Sequence, residues 1–106
     1  MLQTLLRPIL LAFLSSAVLA QEPGEQRQAE LVYLLHQDCG SCHGMTLKGG
    51  LGPSLLPEAL DGKPASYLRQ VISKGVPDKA MPPWEGILQA QEIDFLVSYL
   101  QQGGYQ

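Results

Sequence analysis

The chain has 106 residues, of which seven are basic and ten are acidic. A chain of this length suits one domain with a single small core. No basic stripe runs along the sequence, so nucleic acids and anionic membrane surfaces are poor candidates for its partners.

The first 20 residues have the pattern of an export signal. Arg7 supplies one positive charge, and residues 8–20 form an uninterrupted run of apolar or small side chains. This run is shorter than the ~20 residues that span a bilayer, and small or modest residues precede the expected cut after Ala20. We therefore expect a cleaved signal peptide (1–20), one mature domain (21–106), a periplasmic location and no membrane span after cleavage. An uncleaved membrane anchor is the alternative.

The predicted mature chain is too short to fold easily by apolar burial alone. Cleavage would leave 86 residues with six basic and ten acidic side chains, a net charge of −4. Its two cysteines, Cys39 and Cys42, lie three positions apart and supply no disulfide framework. A large apolar cofactor at the centre of the domain would provide the missing core.

A flexible Pro-Gly leader precedes the first predicted helix, which runs from Glu25 to Asp38. Its apolar residues recur at i, i+3 and i+4: Leu31, Leu34 and Leu35. The pentad Cys-Gly-Ser-Cys-His, residues 39–43, comes at the end of this helix. Eight Gly and Pro residues within 44–64 favour an ordered loop over long regular structure.

Two further helices are predicted, and a loop that contains Met81-Pro82-Pro83-Trp84 connects them. The second helix opens at Pro64 and ends at Gly75. The third runs from about Ala90 to Gln102, with Gln89 at the N-cap, where Ser, Thr or Asp is usual. The stripes expected to be buried are Tyr67, Leu68, Val71 and Ile72 in the second helix and Ile93, Leu96, Val97 and Leu100 in the third. With no strand of useful length, the predicted fold is all-α, with three main helices and long loops.

The pentad at 39–43 predicts covalent haem attachment. Cysteine sulfurs at i and i+3 lie on the same side of a helical turn, so Cys39 and Cys42 can form thioethers to the two vinyl groups of one haem. The next residue, His43, then presents its imidazole to the iron. The predicted cofactor is one haem c.

Three other interpretations of the pentad are weaker. A thioredoxin-like redox pair requires a βαβ context, whereas a helix precedes this motif. A zinc site requires a second ligand pair at workable spacing, and the only other histidine is His36. A plain disulfide gives no reason for the adjacent histidine.

The layout resembles the class I bacterial cytochromes c over essentially the whole mature chain. The shared features are a helix into CxxCH, a Gly-Pro loop, a distal methionine and a C-terminal helix. The likeness is greatest to the small monohaem cytochromes encoded with d-type-haem nitrite reductases in denitrifying bacteria, and three stretches carry it: residues 34–44, 49–53 and 80–84. This resemblance implies the class I cytochrome c fold and an electron carrier rather than an enzyme.

Met81 is the candidate sixth iron ligand. It lies 38 residues after His43, on a loop stiffened by two prolines. A thioether is a soft, neutral ligand that favours ferrous iron and raises the reduction potential. The alternative is a core methionine that fills a gap. Met45 is too close to His43 to reach the opposite haem face, and Met1 leaves with the signal.

Three other residues have candidate roles beside a haem. Pro53 resembles the family's proline whose carbonyl accepts a hydrogen bond from the axial histidine; the alternative is an ordinary turn proline. Trp84 could pack on the haem or donate to a propionate, or be one more core aromatic. His36, one helical turn before Cys39, is more easily explained as a surface histidine than as a distal ligand.

The sequence therefore predicts a monomeric, monohaem c-type cytochrome that exchanges single electrons with periplasmic redox proteins. The resemblance implies d-type-haem nitrite reductase, or enzymes that complete the d-type haem, as partners; a general carrier to a terminal oxidase is the alternative. A haem-based gas sensor or a peroxidase-like protein would need an open distal site. A purely structural haem-binding subunit is a third possibility.

Overall fold

The computed structural model describes residues 5, 8–14 and 22–104. Most of the predicted signal peptide, including its cleavage point, lies outside the described residues. The described chain contains five α-helices and no β-strand: α1 (Glu25–Leu34), α2 (Gly40–His43), α3 (Pro57–Leu60), α4 (Ala65–Lys74) and α5 (Ala90–Gln101). This arrangement confirms the predicted all-α class, and in this part of the chain no helix is long and apolar enough to cross a membrane.

The first predicted helix extends to the end of the Cys-x-x-Cys-His pentad. A π-helical segment, Leu35–Cys39, joins α1 to α2 without a break. Within it, the Gly40 N–H donates to the Leu35 carbonyl, five residues earlier. π-Helical turns are rare and occur mostly as single turns at functional sites. Here the wider turn ends at Cys39, the first cysteine of the pentad, and the sequence periodicity did not indicate it.

The core lies where α1 meets α5. Its buried apolar residues come from α1, the π segment, α3, α5 and the loops before α3 and α5: Leu31, Leu35, Leu47, Leu60, Leu88, Ile93, Leu96, Val97 and Leu100. The predicted stripe of α5 is therefore buried as expected. Burying a leucine side chain stabilises a fold by about 1.5–3 kcal/mol, so these residues supply most of the apolar stabilisation of the domain.

An ion pair fastens α1 to α5 at the edge of this core. Arg27 Nε donates to the carboxylate of Glu92, whose exposed fraction is only 8 %. The other carboxylate oxygen accepts the Gln89 N–H at 2.9 Å, which caps the first turn of α5. Glu92 thus compensates for the weak N-cap residue at position 89. The Arg27 guanidinium, and then the Gln89 N–H, hold the pKa of the Glu92 carboxyl below its usual range.

Helix α4 corrects one prediction. None of its residues is buried, and Tyr67, expected in a buried stripe, is 50 % exposed. Leu68 and Ile72 pack against the core from its margin and remain half-buried. The reason is that α4 lies at the edge of the core: it packs on α5, and within residues 22–104 no other helix covers its apolar stripe.

Two glycines close the last helix. The Gly103 N–H donates to the Leu100 carbonyl and the Gly104 N–H to the Tyr99 carbonyl, both at 3.1 Å, with Gly103 at φ +66°. This is the Schellman arrangement of helix C-termini. The Tyr99 hydroxyl donates to the Gly104 carbonyl at 2.8 Å, and the Tyr99 ring lies 5.8 Å from that of Phe95. Gly104 is therefore folded back onto α5.

Candidate functional site

The two cysteines of the pentad lie at the junction of the π segment and α2. Both thiols are free and half-buried. Between them Gly40 is buried, and a Cβ there would lie 3.5 Å from the Cα and Sδ of Met45. The helical turn keeps Cys39 and Cys42 on one side, which is the placement that two thioethers to a single macrocycle require.

The Cys39 thiol is not a ready nucleophile. Burial raises its pKa to about 11, and the negative charge of Asp38 raises it further. The thiol is therefore protonated at neutral pH. Redox-active Cys-x-x-Cys pairs have the opposite property, a lowered pKa at one cysteine.

The His43 imidazole is oriented by the loop that follows it. Its Nδ1 lies 2.7 Å from the Pro53 carbonyl oxygen. A carbonyl can only accept, so Nδ1 carries the proton and donates, and Nε2 keeps the lone pair that a metal can bind. The structure thus brings together two residues, ten positions apart, that the sequence singled out for this contact.

Main-chain hydrogen bonds attach this loop to the end of α2. The Gly52 N–H donates to the Cys42 carbonyl at 2.8 Å, and the Gly49 N–H donates to the His43 carbonyl at 2.7 Å. The last carbonyls of a helix have no partner within the helix. Here the loop supplies the partners, and in doing so it sets the position of Pro53 beside the imidazole.

Gly52 is required by close packing. A Cβ at this position would lie 2.8 Å from both Nδ1 and Cε1 of His43, closer than a Cβ normally approaches another atom. Its main chain therefore forms one wall of the imidazole site. Any larger residue would displace either the ring or the loop that carries Pro53.

Leu47 anchors the same loop in the core. It is fully buried, although its φ of +59° is uncommon for a leucine. Its carbonyl accepts the Leu55 N–H at 2.9 Å, and its own N–H donates to the Gly44 carbonyl at 2.8 Å. The sequence did not identify this residue, because one leucine in a glycine-rich loop has no periodicity that marks it as buried.

Met81 and Trp84 lie on a different segment of the domain, the loop between α4 and α5. Both are half-buried, and Trp84 packs against the core. The hydrogen bonds of their main chain go to the C-terminal end of α4 rather than to the pentad helix: the Trp84 N–H, for example, donates to the Ile72 carbonyl at 3.0 Å. Met45 is 57 % exposed beside the pentad, and His36 is half-buried in the π segment.

The residues present fit a haem. Two thiols, an oriented imidazole and a loop methionine provide the covalent and axial groups of a c-type site. Half-buried apolar side chains lie at the margin of the core in the segments that carry Pro53, α4 and Met81: Leu55, Leu68, Ile72 and Trp84. A planar apolar macrocycle would complete the burial of such residues and provide the extra core that so short a chain needs.

Two surface cavities contain none of these residues. One, of about 180 Å³, is lined by residues of α3, the following turn and α5: Pro57, Leu60, Asp61, Gly62, Lys63 and Gln101. The other, of about 410 Å³, lies between the leader and α5: Glu22, Gln28, Gln91, Asp94, Phe95, Ser98, Tyr99 and Gln102. The site rests on the donor set and its geometry, because neither cavity is lined by the two cysteines, His43 or Met81.

An all-helical domain whose first helix ends in Cys-x-x-Cys-His, with the histidine fixed through Nδ1, is the architecture of a c-type cytochrome. Residues 26–100 match the family model described as cytochrome C oxidase, cbb3-type, subunit III, and the chain belongs to this family.

Comparison with known proteins shows near relatives. The chain is 51 % identical over 83 residues to cytochrome c55X of Pseudomonas aeruginosa, covering 78 % of this chain and 70 % of that protein. It is also 51 % identical over 85 residues to cytochrome c55X of Stutzerimonas stutzeri, covering 80 % of this chain and 75 % of that protein. The solved structure of the c-type cytochrome NirC shares 53 % identity and a TM-score of 0.75, covering 76 % of this chain and 95 % of that one.

The chain is similar, in addition, to part of a larger enzyme. It is 38 % identical over 94 residues to the dihydro-heme d1 dehydrogenase of Pseudomonas aeruginosa, covering 89 % of this chain but 17 % of the enzyme. A solved structure described as dihydro-heme d1 dehydrogenase NirN in complex with DHE has a TM-score of 0.62 at 41 % identity, covering 67 % of this chain and 15 % of that one.

These comparisons confirm the class I cytochrome c resemblance and the predicted cofactor. The protein is a monohaem c-type cytochrome with one covalently bound haem c, and its biochemical role is electron transfer.

Proposed function

We propose that this protein is a periplasmic one-electron carrier for the haem d1 enzymes of nitrite respiration. One observation carries the proposal: nearly the whole chain is similar to a small part of a dihydro-heme d1 dehydrogenase. The enzyme thus contains a region similar to this chain within a longer protein. A free carrier is the expected partner for such a region.

In the proposed site, Cys39 and Cys42 would hold the haem by thioethers, and His43 and Met81 would bind its iron. The cofactor supplies reversible one-electron chemistry when it is bound. The Pro53 carbonyl, 2.7 Å from Nδ1, keeps Nε2 of His43 directed at the metal. With both axial positions taken there is no open position for a substrate, which supports a carrier rather than an enzyme.

The electrons released by the dehydrogenase and those taken up by the carrier balance if two carrier molecules serve each turnover. Removing two hydrogen atoms from dihydro-haem d1 releases two electrons and two protons. Each oxidised carrier takes up one electron and becomes ferrous, while the protons pass to solvent. In the opposite role, a ferrous carrier gives one electron to a d-type-haem nitrite reductase and returns to the ferric state.

The test is electron exchange under anaerobic conditions, followed by the visible spectrum of the purified haem-bound protein. The ferric protein is mixed with the dehydrogenase and dihydro-haem d1, and the ferrous protein is mixed separately with a d-type-haem nitrite reductase and with a terminal oxidase. We expect reduction by the dehydrogenase at two carriers per substrate, and faster oxidation by the nitrite reductase than by the oxidase.

The control is an unrelated class I cytochrome c of comparable potential under the same conditions. If the dehydrogenase and the nitrite reductase treat both cytochromes alike, the partner assignment is wrong. Oxidation by the terminal oxidase alone would indicate a general carrier. Tight binding of carbon monoxide to the ferrous protein at neutral pH would indicate an open distal site, as in a sensor or peroxidase.

The periplasmic location depends on cleavage of residues 1–20. A haem-bound protein recovered from the periplasm should begin at Gln21. Its intact mass should equal that of residues 21–106 plus one haem. A mass that retains residues 1–20 would indicate an uncleaved membrane anchor.

A further inference from the structure

The loop that carries Met81 is built onto the C-terminal end of α4. The Val76 N–H donates to the Met81 carbonyl at 3.2 Å, so the loop closes on itself directly after the helix. At the far end of the loop, the Trp84 N–H donates to the Ile72 carbonyl at 3.0 Å, and the Glu85 N–H donates to the Ser73 carbonyl at 3.2 Å. These acceptors are carbonyls of the last turn of α4, which a helix cannot satisfy by itself.

Gly75 lies at the centre of this arrangement. Its φ is +69°, in the left-handed region, and it ends α4. A Cβ on Gly75 would stand 2.6 Å from the Met81 carbonyl oxygen, 2.8 Å from the Pro82 carbonyl carbon and 2.9 Å from the Pro83 nitrogen. All three are main-chain atoms, which cannot move aside as the end of a flexible side chain can.

The two prolines make this contact rigid. Each fixes its own φ near −65°, so the segment from Met81 to Pro83 has little freedom to bend around an obstacle. A side chain at position 75 would therefore displace the segment as a unit, and the Met81 main chain would move with it.

We propose that Gly75 is a positioning residue for the distal iron ligand. Its missing side chain lets the Met81 main chain lie against the end of α4, and this contact sets how far the Met81 thioether reaches. The inference rests on the proposed ligation by Met81 and adds to it the residue that holds the ligand in place.

The test is Gly75→Ala in the haem-bound protein. The displaced loop should weaken the Met81–iron bond, so the weak charge-transfer band at the red end of the ferric spectrum should fade and the reduction potential should fall. Cyanide competes with Met81 for ferric iron. Its affinity should therefore rise about tenfold or more, which corresponds to about 1.4 kcal/mol.

Gly62→Ala is the matched control. Gly62 also has a positive φ, +75°, but a Cβ there would meet nothing within 4 Å. Both variants place an alanine at a positive φ, but Gly75, with a ψ of −172°, lies in a region that glycine alone readily adopts, and only Gly75→Ala adds the collision with residues 81–83. We expect Gly62→Ala to lose stability while keeping the wild-type band, potential and cyanide affinity. If both variants change the three readouts equally, or neither changes them, the inference is wrong.

Met81→Ala separates this inference from the ligation on which it rests. If Met81→Ala leaves band and cyanide affinity unchanged, the proposed ligation fails and the role of Gly75 fails with it. If Met81→Ala abolishes the band while Gly75→Ala behaves as wild type, only the Gly75 role fails. In the Met81→Ala background, Gly75→Ala should not raise cyanide affinity further; an additive increase would contradict an action through Met81.

If Gly75→Ala yields no haem-bound protein, the inference is tested by which of the other variants can be recovered with haem. The double variant Gly75→Ala/Met81→Ala has no methionine to hold at the iron, so its loop can move away from position 75. Recovery of the double variant, with Gly75→Ala alone lost, supports the inference. Loss of both, with Gly62→Ala and Met81→Ala recovered, would mean that Gly75 serves folding rather than ligand placement.

Discussion

One imidazole nitrogen of His43, Nδ1, donates a hydrogen bond within the protein, and the other, Nε2, keeps a lone pair that can bind a metal. The Pro53 carbonyl accepts the hydrogen bond that Nδ1–H donates, and the main chain of Gly52 lies against the ring. A histidine held in this way has a fixed tautomer and a fixed ring plane before any metal binds. In the proposed site, its orientation relative to the iron is therefore set by the loop, not by the pentad helix alone.

Gly52→Ala should disturb this arrangement. The added Cβ would lie 2.8 Å from the His43 ring, so the loop has to move and the Nδ1 hydrogen bond should weaken. We expect the free energy of unfolding of the haem-bound protein to fall by about 1–3 kcal/mol, the usual range for overpacking. Urea unfolding gives this quantity, and the His43 proton resonances should shift with it. The control is Gly86→Ala, where a Cβ meets nothing within 4 Å; equal stabilities of the two variants would contradict the argument.

Replacing both Cys39 and Cys42 with alanine should prevent covalent attachment. Each single variant keeps one thiol and should retain haem through one thioether, whereas the double variant should release all its haem into acid acetone. We also expect the double variant to lack a stable fold, because a chain of this size depends on its cofactor for core. Colour that stays with the polypeptide of the double variant would show that other residues attach the haem.

At the scale of elements, the crossing of α1 and α5 combines apolar burial with one buried carboxylate. Glu92 binds Arg27 of α1 and the first turn of its own helix at the same time. By contrast, Arg69 and Asp94, which join α4 to α5, are both about half exposed. Exposed ion pairs contribute little to the stability of the fold, because solvent screens the charges and the side chains lose entropy when they pair. Removing Glu92 should therefore matter far more than removing Asp94.

The pH dependence of stability should report on Glu92. Its pKa is lower in the folded protein than in the unfolded chain. Its contribution is therefore complete above the unfolded pKa, about 4.3 for a glutamate, and is lost as the pH falls through the folded pKa. Glu92→Gln should lower the free energy of unfolding at pH 7 by about 2 kcal/mol and flatten its decline in acid. Urea unfolding across this pH range measures both.

Asp94→Asn is the matched control for Glu92→Gln. It removes the carboxylate of an exposed ion pair on the same helix. We therefore expect the free energy of unfolding at pH 7 to fall by no more than about 1 kcal/mol. If Glu92→Gln keeps the wild-type pH dependence, the carboxylate does not stabilise the helix crossing as argued.

At the scale of the whole molecule, the charge is small and mixed. The predicted mature chain has a net charge of −4, and four of its ion pairs neutralise charges locally: Arg27 with Glu30 and with Glu92, Arg69 with Asp94, and Lys74 with Glu85. Long-range steering of a charged partner needs a stronger field of one sign. Docking should therefore depend on apolar contact near the pentad more than on charge.

Electron exchange with the partner should accordingly vary little with ionic strength. Between low and physiological salt, screening removes most of the interaction between exposed charges more than about 10 Å apart. We expect the second-order rate constant, measured by stopped flow, to change by less than about tenfold. A change on the order of a hundredfold would reveal a charged docking face. A redox partner with a strongly charged surface and one with a neutral surface should give similar salt slopes.

The sequence by itself determined the features that are local along the chain. The cysteines and His43 lie within five consecutive residues, so one helical turn places them together whatever the rest of the fold does. The helices near 25–38, 64–75 and 90–102 follow from periodicity and from Pro and Gly at their ends, and the structure agrees within a few residues. Local periodicity did not show how much of α4 is buried, because burial depends on what packs against it.

Only the tertiary structure decided the contacts that join distant segments. The burial of the left-handed Leu47 and the Arg27–Glu92 side-chain pair arise when segments far apart in the chain meet. The π turn and the approach of Gly75 to Met81 are nearer in sequence, but they depend on main-chain detail that residue types do not mark. Such contacts depend on distances of a few tenths of an ångström, and no spacing of residue types encodes them. The pentad thus identifies the covalent chemistry from the sequence, whereas the supports of its proposed ligands depend on how the loops are tied to the ends of α2 and α4.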